Sequence, residues 1–274
     1  MRIYFTNDLH GSEGALKWLE KRAFSAIESG EALFFDSGDA LLGSNTVFRR
    51  HEPNLAYMSR LGCTAMAMGN REFSYLRRVL DLRSDERSFP LICSNLCDVK
   101  LEGRLGAAEY VNKICKSSGE APTAKTGDGL SPRWTGWLRL PLPHRGGKIN
   151  LIVLGAVPVQ YPHNSFWENL FKFRFYSAEE SLVPLADYLL GQSRNQPSRL
   201  IVLSHLGLDR DIELAAKLPG GTWILGGHTH TVLCEPKRIG DVFITQTGAH
   251  SQYVGELDYN LDDPCSSRCR LHKC

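Results

Sequence analysis

The chain has 274 residues, of which 42% are hydrophobic and 23% are charged, and its formal net charge is +2. These values are ordinary for a globular enzyme that buries a sizeable core. Basic and acidic residues are interleaved, so the sequence lacks the concentrated basic face that nucleic-acid binding requires, and we expect no nucleic-acid partner.

Membrane insertion is not expected either. The longest apolar run, residues 149–159, falls far below the ~20 residues needed to span a bilayer. A strand-like segment at residues 2–6 leads directly into a polar motif and leaves no room for a cleavable export signal. We therefore predict a cytoplasmic protein without a membrane partner.

Strand-like apolar runs alternate with segments of helical periodicity, which indicates an α/β fold. Leu16, Leu19, Ala23 and Ile27 are three or four residues apart and predict a helix that ends at Gly30. The other predicted elements of this part are strands 2–6, 32–35, 64–68 and 91–94 and helices 53–61 and 73–82.

The alternation stops between Asp98 and Pro132, where Gly, Ser, Lys, Thr and Pro predominate. We predict an inserted loop there, which is a candidate for substrate contacts. The elements predicted after it are strands 134–142 and 148–157, helix 178–190, strand 200–203, helix 209–218 and strands 222–225, 242–247 and 252–261. No repeat or linker interrupts this series, so we predict one catalytic domain over residues 1–262.

The last ten residues contain three of the eight cysteines and one histidine, namely Cys265, Cys269, His272 and Cys274. Such a set has enough ligands for one zinc ion, but the second pair of spaced ligands typical of zinc modules is missing. Because charged terminal segments are commonly disordered, we favour a disordered tail over residues 263–274. We expect reduced thiols, since the chain is long and we expect no export signal.

Seven side chains that can bind metal ions follow five of the predicted strands. They are Asp8, His10, Asp39, Asn70, His205, His228 and His230. The carboxyl ends of strands in an α/β sheet meet at one edge, so we expect these side chains to converge. Carboxylate, amide and imidazole groups together suit two hard-to-borderline divalent ions and not a thiolate zinc site. The pattern indicates a two-metal centre that acts on a phosphate ester.

Each motif alone is a weaker signal than the set. Asp8 and His10 point to one face of an extended segment, but both residue types are also common in turns. His228 and His230 are a stronger pair, because the two preceding glycines permit close backbone packing. His205 alone is equally consistent with a buried structural histidine. Only the combination of these motifs at strand ends predicts a metal centre.

The combined motifs resemble those of the calcineurin-like metallophosphoesterases and, within them, of the amino-terminal catalytic domain of 5′-nucleotidases. The resemblance covers about residues 2–262. It rests on Asn7-Asp8-Leu9-His10-Gly11, Gly69-Asn70-Arg71-Glu72-Phe73, Ser204-His205-Leu206-Gly207, Gly226-Gly227-His228-Thr229-His230 and Gln246-Thr247-Gly248-Ala249-His250.

The resemblance implies a four-layer αββα sandwich, in which two mixed β-sheets are flanked by helices. It implies that one divalent ion is held by Asp8, His10 and His230 and the other by Asn70, His205 and His228, with Asp39 bridging both. Manganese, iron, zinc, cobalt or nickel would suit these ligands. The implied partner is a small phosphorylated substrate, with nucleotides among the candidates, which a metal-activated water would hydrolyse.

The sequence departs from the family pattern beside Asn70. The family has a histidine and an aspartate that assist the leaving group, where this chain has Arg71 and Ser74. Arginine stays protonated and does not readily give up a proton, but its guanidinium can hold phosphate oxygens. We predict that Arg71 faces the phosphate as a catalytic residue together with Asn70. The simpler alternative is that Arg71 faces solvent or pairs with Glu72.

The leading interpretation is a hydrolase for a phosphate monoester or anhydride that lacks the nucleotide-specificity domain of 5′-nucleotidases. One alternative is a phosphodiesterase, for example one that opens cyclic nucleotides. Another is a protein that binds metal or phosphate with impaired turnover, because of the changes at Arg71 and Ser74. His250 also follows a predicted strand, but we favour a place outside the site for it.

Overall fold

A computed structural model describes residues 1–47, 49, 51–117, 119, 134–192 and 196–274. The strands are β1 (Arg2–Thr6), β2 (Ala32–Asp36), β3 (Ala65–Ala67), β4 (Leu91–Ile92), β5 (Leu96–Asp98), β6 (Trp137–His144), β7 (Gly147–Ala156), β8 (Phe173–Phe175), β9 (Ser198–Ser204), β10 (Trp223–Leu225), β11 (Lys237–Ile239), β12 (Val242–Thr245), β13 (Tyr253–Asp258) and β14 (Arg268–Lys273). The helices are α1 (Gly14–Arg22), α2 (Phe24–Glu28), α3 (Pro53–Arg60), α4 (Arg77–Asp85), α5 (Val99–Glu102), α6 (Ala107–Cys115), α7 (Phe166–Phe171), α8 (Ala178–Gly191) and α9 (Leu208–Ala215).

Two six-stranded mixed sheets form the centre of the fold. The first has the order β14-β13-β1-β2-β3-β4, in which β1 to β4 are parallel and β13 runs antiparallel to both of its neighbours. The second has the order β11-β12-β10-β9-β7-β6, with four parallel inner strands and an antiparallel strand at each edge. The parallel strands of each sheet therefore end at a common edge.

The two sheets pack face to face on a shared apolar layer. Ile3 and Phe5 of β1 face this layer and meet Val153 and Leu203 of the second sheet. Tyr4 lies between them in sequence and points to the opposite face, where the amino-terminal helices cover the first sheet. Helices α6, α8 and α9 cover the outer face of the second sheet. The predicted four-layer αββα sandwich is confirmed.

The longest apolar run of the sequence belongs to β7, which lies inside the second sheet between β6 and β9. Because both faces of this central strand are covered, its residues from Leu151 to Ala156 are apolar on both faces, which explains most of the run. In the part of the chain that the structure describes, no helix has both the length and the apolar character needed to cross a bilayer.

The prediction of an insertion without regular structure from Asp98 onwards is wrong for its first part. Helices α5 and α6 form there, and α6 contributes Val111 to the core beneath the second sheet. The ring of Tyr110 stacks on that of Tyr176 at a centroid distance of 4.7 Å. The many polar residues around α6 hid its single apolar stripe. The rest of the predicted loop, residues 120–132, lies outside the described residues.

The prediction of a disordered tail over residues 263–274 is also wrong. Strand β14 pairs antiparallel with β13 along its full length and extends the first sheet beyond the predicted domain boundary. His272 of this strand stacks on Trp18 at 4.8 Å, and its Nε2 lies 2.6 Å from Glu256 Oε2. The ladder of backbone hydrogen bonds and these two contacts order a segment that its charged composition did not mark as a strand.

Candidate metal centre

The seven predicted ligands converge where the parallel strands of both sheets end. In the described residues, two groups of three bring their ligand atoms within 4.8 Å of one another, namely Asp8, His10 and His230, and Asp8, Asp39 and His205. Asn70 and His228 lie beside the second group. The structure therefore brings together every residue that the motifs selected.

Asp8 supplies the carboxylate that both groups share. Its Oδ1 lies 3.6 Å from His10 Nε2, 3.4 Å from His230 Nε2 and 3.9 Å from His205 Nε2. This oxygen is buried and lacks a hydrogen-bond partner among the described residues, whereas Oδ2 accepts from Asn7 Nδ2 at 2.8 Å. A buried, unpaired carboxylate oxygen is unfavourable unless a cation or a donor binds it. The donor set around Asp8 therefore fits a divalent ion.

Asp39 was expected to bridge the two ions, whereas Asp8 is the carboxylate common to both groups. Asp39 Oδ1 lies 3.4 Å from His205 Nε2 and accepts the backbone N–H of Arg71 at 2.7 Å. Burial opposes ionisation of Asp39, but His205, the Arg71 amide and His10 outweigh it and lower its pKa to about 2. Asp39 is therefore charged and available as a ligand, and its bridging role stays a prediction.

His205 is fully buried and held in one orientation. Its Nδ1 donates to the carbonyl oxygen of Ser37 at 2.8 Å, which turns Nε2 toward the carboxylates. Burial alone would lower its pKa, but the carboxylates of Asp39, Asp8 and Glu72 outweigh burial and raise the pKa to about 9. A metal ion that bound His205 Nε2 would therefore displace the proton from this nitrogen.

The pKa of His10 is shifted in the opposite direction to that of His205. Burial, followed by the positive charge of Arg71, lowers its pKa to about 4, so its imidazole is neutral at pH 7. Its Nε2 lies 2.9 Å from His230 Nε2. Two nitrogens bound to one ion at about 2.0–2.1 Å are separated by roughly 3 Å, so this pair already has the spacing of two ligands of one ion.

Asn70 and His228 form the outer side of the second group. Asn70 Nδ2 lies 3.3 Å from His228 Nδ1, and the rings of His228 and His205 are 5.2 Å apart. Burial, followed by the charge of His205, lowers the pKa of His228. Gln160, on the loop after β7, donates from Nε2 to Asn70 Oδ1 at 3.3 Å. Gln160 belongs to none of the sequence motifs. Its position after an apolar strand is the only feature of the sequence that points to it.

Five of the seven ligands have a left-handed backbone. Their φ angles are +50° for Asp8, +48° for His10, +57° for Asp39, +76° for His228 and +55° for His230. Such a conformation is uncommon outside glycine and costs on the order of 1–3 kcal/mol per residue. The surrounding structure holds these residues against that cost, which is typical of functional sites.

Two glycines allow the loops of the site to approach each other. A Cβ atom at Gly227 would lie 3.0 Å from Asp8 Oδ2 and 3.0 Å from His205 Nδ1. A Cβ atom at Gly69 would lie 2.5 Å from Asp39 Oδ1. The residue after Gly227 also donates its backbone N–H to Asp8 Oδ2 at 2.8 Å. A side chain at Gly69 would therefore displace Asp39, and one at Gly227 would crowd Asp8 and His205.

Arg71 lies at the rim of the centre with 33% of its side chain exposed. Its Nη1 donates to the carbonyl oxygens of Leu42 at 3.1 Å and Leu41 at 3.5 Å, and its Nε lies 3.9 Å from Asp39 Oδ2. The alternative pairing with Glu72 is wrong, because the Glu72 carboxylate accepts backbone N–H groups of the two surrounding loops. The guanidinium is thus anchored beside the candidate ligands.

Two further residues, Asn7 and His250, lie beside the centre. The sequence motifs gave no site role to Asn7, and His250 was expected outside the site. Asn7 Oδ1 accepts from Thr247, which ties the end of β1 to the segment after β12. The ring of His250 lies 4.9 Å from that of His10, so the expectation that His250 lies outside the site is wrong. Neither contact has a signal in the sequence, because each depends on how two distant loops meet.

Comparison with protein families matches residues 1–232 to the calcineurin-like phosphoesterases. The chain belongs to this family of phosphoester hydrolases. It is 31% identical over 304 residues to a 5′-nucleotidase of Vibrio vulnificus, a match that covers 95% of this chain and 49% of that protein. It is 25% identical over 285 residues to the trifunctional nucleotide phosphoesterase YfkN of Bacillus subtilis, covering 96% and 18%.

A solved structure of a 5′-nucleotidase precursor from Thermus thermophilus superposes with a TM-score of 0.66 at 19% identity. The match covers 100% of this chain and 54% of that chain, and at this identity it supports the fold alone. The chain spans about half the length, or less, of these relatives.

Proposed function

We propose that the protein is a phosphoester hydrolase with a dinuclear metal centre, which acts on a phosphate monoester or anhydride of a small molecule. The observation that carries this proposal is the buried Asp8 Oδ1, which is unpaired in the described structure and faces the Nε2 atoms of three histidines. Membership of the family and the similarity to 5′-nucleotidases support it.

In this proposal the ligands divide between two ions. Asp8, His10 and His230 would hold one ion and Asn70, His205 and His228 would hold the other, with Asp39 as the proposed ligand of both. Bound divalent ions supply Lewis-acid polarisation of phosphate oxygens and acidify the attacking water. The donor set is compatible with manganese, iron, zinc, cobalt and nickel alike.

Arg71 is proposed to contact the phosphate. One of its nitrogens is fixed on loop carbonyls, and the remainder of the guanidinium is partly exposed at the rim beside Asp39. A planar guanidinium in this position binds phosphate oxygens and stabilises negative charge that develops on them. It also holds the substrate in line with the centre, which is the part of the chemistry that a permanently charged group can perform.

Arg71 does not replace a proton donor. Loss of a general acid costs about 10²–10⁴-fold in rate, and the cost is greatest when the leaving group is an alkoxide. We therefore propose that the preferred substrates have leaving groups that need little protonation, such as aryl phosphates and phosphoanhydrides.

The test is a substrate panel on protein that has been reconstituted with Mn²⁺. The panel compares AMP, an aryl phosphate, pyrophosphate and a cyclic nucleotide. We expect the aryl phosphate and pyrophosphate to be cleaved about 100-fold faster than AMP, at the low end of the general-acid effect of ~10²–10⁴. Equal rates for AMP contradict the leaving-group proposal, and activity on the cyclic nucleotide alone indicates a phosphodiesterase. Bound metal without any hydrolysis indicates a binding protein.

A further inference from the structure

His250 places a third imidazole beside the group formed by Asp8, His10 and His230. Its ring centroid lies 4.9 Å from that of His10 and 6.0 Å from that of His230. The centroids of His10 and His230 are themselves 5.0 Å apart. The three rings therefore surround one point at the end of β1.

These distances are compatible with three imidazoles on one ion. A nitrogen that binds a metal at about 2.0–2.1 Å places the ring centroid roughly 3.2 Å from the ion, so two such rings lie no more than roughly 6.4 Å apart. All three centroid distances satisfy this limit. The ring nitrogens of His250 are not among the ligand atoms within 4.8 Å of one another, so coordination requires a rotation of the side chain. The exposure of His250 permits that rotation.

The backbone of His250 is hydrogen-bonded to that of Asp8, a candidate ligand of the same ion. His250 N donates to the carbonyl oxygen of Asp8 at 2.8 Å. The Asn7 side chain adds two more bonds, since its Oδ1 accepts from Thr247 N at 2.8 Å and its Nδ2 donates to Gly248 O at 2.7 Å. These bonds hold the backbone of His250 close to Asp8.

The backbone conformation of His250 matches that of the other candidate ligands. Its φ is +51°, and that of Ser251 is +60°, so two successive residues are left-handed. A left-handed backbone is strained outside glycine, and folds retain such strain mainly where it positions a functional side chain.

We propose that His250 is a further ligand of the ion held by Asp8, His10 and His230. The inference rests on the metal centre of the proposed function and adds one residue to it. A third neutral nitrogen donor shifts the preference of this position away from hard ions such as Mg²⁺ and toward borderline ions such as Zn²⁺ and Co²⁺.

The test compares the wild type with His250→Gly and with His144→Ala. Glycine accepts the left-handed backbone, so the change removes the imidazole without adding strain. His144 lies on β6 and pairs with Asp262, which makes it a control histidine outside the site. The readouts are Co²⁺ affinity by titration calorimetry and the visible absorption spectrum of bound Co²⁺, neither of which depends on turnover.

We expect H250G to weaken one of two Co²⁺ sites by about 10–100-fold or more, since even indirect support of a ligand has that effect. The spectrum of that site should change and should be restored by added imidazole, whereas H144A should match the wild type. If the Co²⁺ affinity and the spectrum of H250G equal those of the wild type, the inference is overturned. The same holds if only the KM for substrate rises. If the wild type itself binds no Co²⁺, the metal centre fails and the inference fails with it.

A loss of folding is distinguished from a loss of a ligand by a second variant. His250→Asn keeps a residue that tolerates a left-handed backbone. The inference predicts that metal-free H250G, H250N and wild type unfold at similar temperatures, while metal raises the midpoint less in both variants than in the wild type. A similar rise with metal in all three proteins contradicts it.

Discussion

His10 Nε2 and His230 Nε2 lie 2.9 Å apart, although 220 residues separate them in the chain. His10 follows β1 of the first sheet and His230 follows β10 of the second. The candidate metal centre therefore spans the interface between the sheets, and a bound ion would connect them. Its occupancy should consequently be measurable as a change in global stability.

The first prediction concerns metal removal. An ion that binds only the folded protein stabilises it by about 2.7 kcal/mol at a concentration of 100 times its Kd. For a chain of this size, that corresponds to a rise in Tm of roughly 5–10 °C. Scanning calorimetry with saturating Mn²⁺ and then with excess chelator measures the difference. Equal midpoints under the two conditions would show that no ion links the sheets.

The second prediction concerns Gly227. In Gly227→Ala the new methyl group would lie 3.0 Å from both Asp8 Oδ2 and His205 Nδ1. We expect less metal to be retained and the rate of phosphoester hydrolysis to fall, because the crowding moves two candidate ligands. Gly191→Ala is the matched control, because a Cβ atom there meets nothing within 4 Å. Elemental analysis of the two dialysed proteins decides the matter, and metal retained by G227A argues against the proposed geometry.

The third prediction concerns Arg71. Arg71→Ala removes the proposed phosphate contact and should lower kcat/KM by about 10–100-fold without loss of metal, as expected for a charge-assisted contact of ~1.5–3 kcal/mol. Arg78→Ala is the control, since Arg78 is exposed on α4. Steady-state kinetics with an aryl phosphate measures the effect. An R71A enzyme with unaltered kcat/KM would show that the guanidinium does not touch the substrate.

The fourth prediction joins the two departures from the family pattern. Arg71→His combined with Ser74→Asp restores a proton donor and the carboxylate that orients it. We expect the rate of the double variant on AMP to exceed that of the wild type by about 100-fold, at the low end of the ~10²–10⁴ attributed to general-acid catalysis. The gain should be smaller for pyrophosphate. If both substrates gain equally, proton donation is not what the wild type lacks.

The fifth prediction is a pH dependence of stability at Glu168, which is 1% exposed and pairs with Arg174 at 2.7 Å. Burial raises the pKa of Glu168, but its bonds to Arg174 and to the Asn164 amide outweigh burial and lower the pKa overall. Because the folded pKa lies below the unfolded one, the stabilisation is present above the unfolded pKa. It is lost as the pH falls through the folded pKa.

Glu168→Gln should therefore destabilise the protein by about 3 kcal/mol at pH 7, the cost of breaking a buried ion pair, and by progressively less at acid pH. Glu213→Gln is the control, since its pair with Arg210 is exposed and screened by solvent, so that its loss should have little effect at either pH. Urea unfolding at pH 7 and pH 4 gives both values. A difference that is independent of pH contradicts the assignment.

Much of the fold was predictable because its signals are local. The apolar runs of β1, β2 and β9 and the stripe of the helix after β1 identified the alternating elements, and the order of elements identified an α/β fold. Strand β14 and helix α6 were not predictable in the same way. Their sequences are rich in charge, and each is ordered by contacts with a distant element, such as the stacking of His272 on Trp18.

In the candidate site, too, some features were predictable from local sequence and others depended on distant contacts. Its candidate metal-binding side chains were predicted from the sequence because each follows a strand and carries a suitable donor atom. The shared position of Asp8, the support from Gln160 and the approach of His250 were not found, because they depend on how loops from two sheets meet. The left-handed backbone of the ligands is likewise a property of the packed structure, since no residue type among them requires it.

The most direct test of the account is the metal content of the wild type, of Asp8→Asn and of the control Asp187→Asn, whose side chain is exposed on α8. Asp8→Asn preserves the shape of the residue and removes the charge that both groups share. After Mn²⁺ loading and gel filtration, we expect two ions per chain in the wild type and in D187N, and fewer than one in D8N. Two ions retained by D8N, or none in the wild type, would contradict a metal centre built on Asp8.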